Sequence, residues 1–585
     1  MYITTNHLTI QYDVCYIVSM FIDTVPNRGS RPAILLRESR REGKKTVKTT
    51  LANISHWPPE KIEALRRVLR GEFEPATTNT LTIERSLPHG HVEAVLGTMR
   101  TLGIASLLSG RPGRERDLAL AMIAQRVLEP CSKLATARLW HSTTLAGELE
   151  VEDADQDELY AAMDWLASRK NRIENKLARR HLDEGARALY DVSSSSYTGQ
   201  HCPLAKRGYN RDGEKLPSIV YGVLTAADGC PMAVDVYPGN TADPNTVPDQ
   251  VEKIRKRFGL TRAVIVGDRG MLTQARIDAL REHPGLGWIS ALRSPDIREL
   301  VESDALQMSL FDRRNLAEIA SDDYPGERLV ACYNPLLAEK RNRTRAELLA
   351  AAEKDLARIE KEVKRRTKTP LSAAEIGVKV GRCIDKRKMA KHFRIDIADG
   401  RFTFSRNTES IERETLLDGL YVIRASEPGL SAPDAVRAYK SLGQVEQAFR
   451  CLKGLDLRVR PIHHHTENRV VAHVFICLLA YYVEWHMRKA LSPLLFQDDE
   501  LDRARWSRDP VAPARPSPSV KKKKQSKRTP EGFTVHSFHT LIRDLAARCK
   551  NTCRLGEGAA AARFAKLTEL TPLQKQAFGL LNIKT

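Results

Sequence analysis

The sequence predicts a mixed α/β protein built around one mixed sheet with helices on its faces. Between residues 188 and 291, strand-like segments alternate with segments of helical periodicity in the order β-β-β-α-β-α-β, a meander followed by βαβ units. In addition, 42% of the 585 residues are hydrophobic and 28% are charged. That balance is typical of a folded, soluble chain, and the length allows about three or four domains.

Two regions are predicted before the sheet. Residues 1–85 form a small β/α unit, in which PPEKIEALRRVLRG has the proline start and the glycine stop of a helix. The strand pattern begins at Met20, and we interpret residues 1–19 as an N-terminal extension. Residues 86–185 carry helical periodicity in several pieces, whose Arg and Lys side chains either follow phosphates or face solvent.

The predicted sheet occupies residues 186–293 and is completed by residues 431–495. Its strands are ALYDVSSSSY, the two strands of PSIVYGVLTAADGCPMAVDVYPG, RAVIVGD and LGWISAL. Residues 294–430 interrupt this pattern, and we predict a strand-rich insertion subdomain with a protruding helical arm. Charged residues occupy so much of the helix at residues 337–366 that it cannot be buried on all sides.

The end of the chain changes in composition. Residues 470–485 are apolar but interrupted by His473 and Glu484, which predicts a buried helix and no membrane span. Residues 496–532 form a basic, proline-rich linker, of which we predict residues 507–532 to be disordered. Its four consecutive lysines are either a DNA-binding tail or a solvated run. Residues 533–585 are predicted to be a C-terminal helical segment.

Charge and cysteine content narrow the function. The chain has 93 Lys and Arg against 73 Asp and Glu, a net charge of +20, which favours nucleic acid as a partner and an anionic membrane surface second. Its ten cysteines include no CxxC pair, so neither a zinc finger nor a disulfide framework is indicated. We expect reduced thiols in a cytoplasm, because no signal-peptide pattern begins the chain.

Two aspartates stand out within the predicted sheet. Asp191 interrupts the strand ALYDV, and Asp268 directly follows the strand AVIVG. Asp191 either bonds amides of the serine run at residues 193–196 or binds a metal ion, and Asp268 either caps the next loop or binds the same ion. In the β-β-β-α-β order, the first and fourth strands are neighbours in the ribonuclease-H-like fold, where the two aspartates would meet.

A third carboxylate follows on a predicted helix at residues 439–454, YKSLGQVEQAFRCLKG. Tyr439, Glu446 and Lys453 lie at heptad steps and share one helix face. That face is either solvated or brings Glu446 to the two aspartates. Three carboxylates repel each other, and two divalent ions about 3.5–4 Å apart would relieve this and support phosphodiester chemistry. Oxygen ligands favour Mg²⁺, with Mn²⁺ as a substitute.

These segments together resemble the DDE-type insertion-sequence transposases with the signature Tyr-x2-Arg-x3-Glu-x6-Lys. Here the signature is Tyr439-x2-Leu442-x3-Glu446-x6-Lys453, so Leu442 stands where the family has arginine. YDVSSSSY is similar to the family's first-Asp block, VYPGNTAD to its Gly-Asn block and VIVGDRGM to its second-Asp block. The resemblance covers about residues 20–490.

The resemblance implies a ribonuclease-H-like core and metal-dependent cleavage and transfer of DNA strands at the ends of an insertion sequence. It implies that two Mg²⁺ ions are held by the catalytic carboxylates Asp191, Asp268 and Glu446. Tyr439 and Lys453 would contact DNA, with Arg450 as a candidate replacement for the missing arginine.

The partners implied by the resemblance are double-stranded DNA, both inverted-repeat ends and target, and a second copy of the chain in a synaptic homodimer. The helical region at residues 86–185 would bind the ends, and the protein would act in the cytoplasm at the nucleoid. Two alternatives stay open at this point: a host nuclease on the same fold, and a catalytically inactive protein that still binds element ends.

Overall fold

The computed structural model describes most of the chain, which divides into two compact units. The first unit holds the described residues up to Ala162, His486–Leu495, and the described residues from Thr529 onward. The second unit holds the described residues of Met163–Trp485 and Phe496–Arg528. The predicted N-terminal extension lies outside the described residues except for Ser19. Described are residues 19–27, 29–42, 45–70, 81–311, 314–427, 429–500, 503, 507–556 and 562–584.

The described strands are, in chain order, β1 (Ser19–Asn27), β2 (Ser30–Glu42), β3 (Lys45–Asn53), β4 (Leu81–Pro88), β5 (Arg187–Ser196), β6 (Ser218–Ala226), β7 (Pro231–Pro238), β8 (Ala263–Val266), β9 (Leu286–Ala291), β10 (Leu316–Ile319), β11 (Arg328–Tyr333), β12 (Phe393–Ala398), β13 (Arg401–Arg406), β14 (Leu420–Ala425), β15 (Cys549–Leu555) and β16 (Ala562–Leu567).

The described α-helices are α1 (Pro59–Leu69), α2 (Gly90–Thr101), α3 (Ile104–Leu108), α4 (Arg114–Leu128), α5 (Lys133–Leu139), α6 (Leu145–Glu148), α7 (Gln156–His181), α8 (Val247–Glu252), α9 (Gln274–Arg281), α10 (Ser294–Glu302), α11 (Pro335–Arg365), α12 (Ala373–Arg387), α13 (Thr408–Thr415), α14 (Ala432–Lys440), α15 (Gly443–Lys453), α16 (Glu467–Ala490), α17 (Pro518–Ser526), α18 (Phe538–Ala546) and α19 (Pro572–Leu580).

The first unit contains two small antiparallel sheets. β1, β2 and β3 form one of them, and α1 follows where the proline start and glycine stop predict a helix. The other sheet has the order β16-β15-β4, so a hairpin near the end of the chain pairs with a strand near its beginning. The helical segment predicted for residues 533–585 is therefore wrong in part. Of its two strands, β15 pairs with β4 and β16 pairs with β15, and local periodicity does not reveal these contacts.

The second unit is built around an eight-stranded mixed sheet with the order β10-β11-β14-β9-β8-β5-β6-β7. β5, β6 and β7 form an antiparallel meander, and β8 and β9 extend it in parallel from β5. This is the predicted β-β-β-α-β-α-β order, and it is the arrangement of a ribonuclease-H-like core.

Close packing fixes the position of β5 against β6. Tyr190 is fully buried in β5, and a Cβ at Gly222 of β6 would lie 2.1 Å from the Tyr190 hydroxyl oxygen. Only glycine leaves room for the ring at this point. The packing therefore helps to set the register of the strand that carries Asp191.

The insertion predicted over residues 294–430 is narrower in the structure. β14 pairs antiparallel with β9, with Ile423 opposite Ala291, and β11 and β10 continue the sheet outward. The predicted boundary is wrong because the backbone at the β9 edge is satisfied by strands from within this segment. Outside the sheet lie α11, α12, α13 and the hairpin β12–β13, and α11 is the charged helix predicted at residues 337–366.

Part of the predicted linker is also ordered. In α17, the Ser517 hydroxyl accepts a hydrogen bond from the amide of Val520, and Lys523 contacts Asp499 at 3.0 Å. Val520 and Lys523 are buried. The prediction of disorder over residues 507–532 is thus wrong for this helix, because a cap and an ion pair stabilise a segment that has few apolar residues.

Among the described helices, α16 has the length and composition of a membrane span, but most of its apolar stretch is buried within the protein. It corresponds to the buried helix predicted at residues 470–485.

Buried charges on α7 cover the outer edge of the sheet at β7. Glu174 is fully buried, and its carboxylate accepts a hydrogen bond from the amide of Val234 in β7 (3.0 Å). It also contacts Lys170 at 2.8 Å and Arg257 at 2.9 Å. A carboxylate with these partners is stabilised, but removing its charge would leave buried cations uncompensated.

We expect Glu174→Gln to lower the free energy of unfolding by about 3 kcal/mol, the usual cost of breaking a buried ion pair. Glu252→Gln is the matched control, because it breaks the exposed ion pair to Lys256 (3.0 Å), which has the same four-residue helical spacing as the pair of Glu174 with Lys170. Its cost should be less than about 0.5 kcal/mol. Urea denaturation followed by circular dichroism measures both, and equal stability of the two variants would contradict this role of Glu174.

Candidate active site

Asp191 and Asp268 lie at matching positions of two neighbouring parallel strands. In the pairing of β5 with β8, Leu189 lies opposite Val266, an offset of 77 positions (266 − 189). Asp191 and Asp268 are separated by the same 77 positions (268 − 191), two residues beyond that pair. The structure therefore brings the two aspartates together at the carboxyl end of β8, where ligands bind in open α/β sheets.

The environment of Asp191 is unfavourable to negative charge. Its Oδ1 accepts a hydrogen bond from the amide of Val192 (2.7 Å). Burial raises the pKa of Asp191 to about 7, and the charges of Asp268 and Asp243 act in the same direction, whereas the Val192 amide and Arg211 oppose the shift. Such a carboxyl group would gain from a nearby cation.

Asp268 caps the turn that follows β8. Its Oδ1 accepts hydrogen bonds from the amides of Gly270 (3.1 Å) and Met271 (2.8 Å). The first of the two alternatives for this residue, capping of the loop, is therefore observed. Its Oδ2 accepts no hydrogen bond from the part of the chain that the structure describes. The capping role and a role as ligand therefore use different oxygen atoms of the same carboxylate.

Glu446 lies in the first turn of α15, and the single helix predicted at residues 439–454 is wrong. α14 and α15 are separate, and between them the amide of Val445 bonds the carbonyl of Leu442 (3.0 Å), three residues back instead of four. Gly443, a poor helix former, lies in this tightened turn. Leu442 is half-buried there.

Tyr439, at the end of α14, lies where the fields of the three carboxylates overlap. The pKa of Tyr439 is raised to about 12, first by burial and then by the charges of Asp268, Glu446 and Asp191, while Arg269 opposes the shift. The charges of all three carboxylates therefore act on one phenol.

Glu446 and Arg450 form an exposed pair on α15. Their side chains are 60% and 71% accessible, and Arg450 contacts the Glu446 carboxylate at 3.4 Å. An exposed pair with this four-residue spacing contributes less than about 0.5 kcal/mol. Both side chains can therefore exchange this contact for another ligand at little cost.

Lys453, at the end of α15, is half-buried and paired. Its side chain is only 16% accessible, and its ammonium donates to the carbonyl of Ser194 and contacts Asp212 at 3.2 Å. Asp212 is 5% accessible, also contacts Arg460 at 2.7 Å, and accepts a hydrogen bond from the amide of Ser196 (2.9 Å). Asp212 thus joins the end of α15 to β5.

The sequence did not single out Asp212. Burial alone would raise its pKa, but the amide of Ser196, Lys453 and Arg460 together lower it, as expected for a carboxylate held in its charged form. Its segment, RDG, has the composition of an ordinary turn. The two cations that pair with Asp212 follow it by 241 positions (453 − 212) and 248 positions (460 − 212). No local sequence pattern could therefore have identified these ion pairs.

The Gly-Asn block of the sequence allows two segments to approach each other closely. A Cβ at Gly239 would lie 1.9 Å from the carbonyl oxygen of Ser218, and a Cβ at Gly208 would lie 2.3 Å from the carbonyl oxygen of Gly239. Arg211 and Asp243 then form an ion pair at 2.5 Å. The block therefore positions two of the charges that act on Asp191.

The carboxylates of Asp191, Asp268 and Glu446 supply the hard oxygen ligands that Mg²⁺ and Mn²⁺ prefer. Within the described residues, they do not form a set whose ligand atoms all lie within 4.8 Å of one another. The donor set is therefore of the chemical kind that binds divalent ions, and the number of ions does not follow from it.

Comparison with known families supports this chemistry. A family model of the transposase DDE domain matches residues 188–483, just over half of the chain, and this range includes all three carboxylates. A model of the N-terminal domain of IS1634 family transposases matches residues 22–80. No curated protein matches the chain. The chain belongs to the transposase DDE domain family.

Proposed function

We propose that the protein cleaves DNA strands at the ends of an insertion sequence and joins them to target DNA, with Asp191, Asp268 and Glu446 as catalytic residues. The observation that best supports this is the offset of 77 positions that the two aspartates share with the pairing of their strands. Family membership and the net charge of +20 agree with a DNA substrate. The Tyr-x2-Arg-x3-Glu-x6-Lys subgroup is part of the same proposal.

The three carboxylates would hold two Mg²⁺ ions, with Mn²⁺ as a substitute. Such ions, when bound, lower the pKa of a water molecule or a 3′-hydroxyl and stabilise the leaving oxygen. Asp268 would bind through Oδ2, because its Oδ1 already accepts two amide hydrogen bonds. Glu446 would turn from Arg450 towards the aspartates, which the weak exposed pair permits.

The DNA contacts near the site would come from Tyr439, Arg450 and Lys453. With its pKa raised to about 12, the Tyr439 phenol stays protonated at neutral pH and can donate a hydrogen bond to a phosphate. Arg450 is exposed and pairs weakly, so it suits the role of the missing arginine. Lys453 would reach a phosphate only by exchanging its contact with Asp212.

We further propose inverted-repeat ends and target DNA as partners, a homodimer in the synaptic complex, and action in the cytoplasm at the nucleoid. The match to the IS1634 family N-terminal domain is consistent with the need of such an enzyme for an end-binding region.

Glu446→Gln should reduce strand cleavage by more than about a hundredfold, since even residues that only orient metal ligands cost up to about that factor. End binding should survive, because the variant keeps the size and hydrogen-bonding capacity of the side chain. Cleavage of end DNA with Mg²⁺ and with Mn²⁺ is the measurement. Glu347→Gln, an exposed glutamate on α11, is the control and should cut like the parent protein. Cleavage by Glu446→Gln at the parental rate would show that this glutamate is not catalytic.

Arg450→Ala and Lys453→Ala should separate the contribution of a side chain to DNA binding from its contribution to the stability of the fold. Each should lower the slope of log affinity against log salt by about 0.9 if it removes one phosphate contact. Only Lys453→Ala should also lower the melting temperature, because it leaves the buried Asp212 with fewer partners. If the slope of log affinity against log salt is unchanged in both variants, neither Arg450 nor Lys453 contacts a DNA phosphate.

Leu442→Arg restores the family residue at the turn between α14 and α15. If this position faces DNA, the added cation should raise the salt slope by about 0.9 and tighten end binding. Leu442→Met, which keeps the apolar side chain, is the control. A fall in melting temperature with no gain in affinity would instead show that Leu442 serves packing.

A further inference from the structure

α17 presents an exposed group of cations, which we call the lysine surface: Lys521, Lys522 and Lys524 on the helix and Lys527 directly after it. Residues 510–530 contain seven Lys and Arg, at positions 515, 521, 522, 523, 524, 527 and 528, and no Asp or Glu. Like charges at this density repel one another, and a polyanion bound against them would relieve that repulsion.

The lysine surface is held in place by the buried side of α17. Lys523 is 3% accessible and contacts Asp499 at 3.0 Å, and the hydroxyl of Ser519 donates to the same carboxylate (3.0 Å). Val520 is buried beside them. One lysine of the run therefore anchors the helix, and its neighbours are turned towards solvent as a consequence.

The segment that leads into α17 packs on the helix that carries Tyr439. Lys440, the next residue of α14, donates hydrogen bonds to the carbonyl of Val511 (2.9 Å) and to the carbonyl of Ala512 (3.3 Å). The lysine surface thus belongs to the same unit as the candidate active site and is attached to one of its helices.

We propose that the lysine surface binds the phosphates of double-stranded DNA independently of sequence. The proposal rests on the proposed function, since it gives the same substrate a second contact. It concerns residues beyond the range 188–483 that the DDE domain matches, so it describes a property of this chain. Each lysine that neutralises a phosphate releases condensed counterions, which gives affinity and a dependence on salt.

The test compares two triple variants on a labelled duplex of arbitrary sequence, about 40 base pairs long, by fluorescence anisotropy at several salt concentrations. In Lys521→Gln/Lys522→Gln/Lys524→Gln, the slope of log affinity against log salt should fall by about 2–3, at about 0.9 per contact. The control, Lys354→Gln/Lys361→Gln/Lys368→Gln, removes the same charge from exposed lysines on and just after α11. An unchanged slope in the first variant, or an equal fall in both, would overturn the proposal.

Asp499→Asn tests the anchor independently of total charge. Removing an acidic group should strengthen binding to DNA if net charge alone matters. If Asp499 orients the lysine surface through Lys523, binding should weaken instead, although no cation has been removed. Circular dichroism checks that the fold persists, and tighter binding by Asp499→Asn would contradict the anchored surface.

Failure of this proposal and failure of the proposed function give different results. A parent protein that binds the duplex with the expected dependence on the lysine surface but never cuts element ends would refute the transposase activity and support the surface. A parent protein that cuts element ends with Mg²⁺, while the first triple variant keeps the parental salt slope, would support the transposase activity and refute the lysine surface.

Discussion

The parallel pairing of β5 with β8 is the constraint on which the candidate site depends. Its offset of 77 positions is also the separation of Asp191 and Asp268, so the register itself brings the two carboxylates together. A slip of one residue would turn one aspartate to the other face of the sheet. The ring of Tyr190, which leaves no space for a side chain at Gly222, opposes such a slip by fixing β5 against β6.

Several parts of the structure determine how strongly the acidic groups of the candidate site resist ionisation. Burial and the charge of Asp268 raise the pKa of Asp191 to about 7, and Arg211 offsets only part of this shift. Arg211 is itself positioned by its ion pair with Asp243, which the close approach at Gly239 permits. A cation bound beside Asp191 and Asp268 would relieve this unfavourable concentration of negative charge.

Sequence patterns were sufficient for the order of the sheet and for the placement of Asp191 and Asp268, because both follow from local alternation and from strand ends. They failed where a distant partner decides the structure. β14 joins the sheet through β9, and Lys523 orders α17 through Asp499, although composition predicts an insertion and a disordered linker. Asp212 was missed for the same reason, since the two cations that pair with it, Lys453 and Arg460, lie more than 240 positions away.

Burial decides which cations of this basic chain hold the fold and which can meet DNA, and neighbours in sequence can differ. Lys523 is buried between exposed lysines, and the half-buried Lys453 ends a helix that carries the exposed Arg450. This gives the spacing between Glu446 and Lys453 a structural meaning. Seven residues of helix rise about 10.5 Å, so fixing Lys453 to the carbonyl of Ser194, three positions after Asp191, also sets how far along the sheet Glu446 lies from that aspartate.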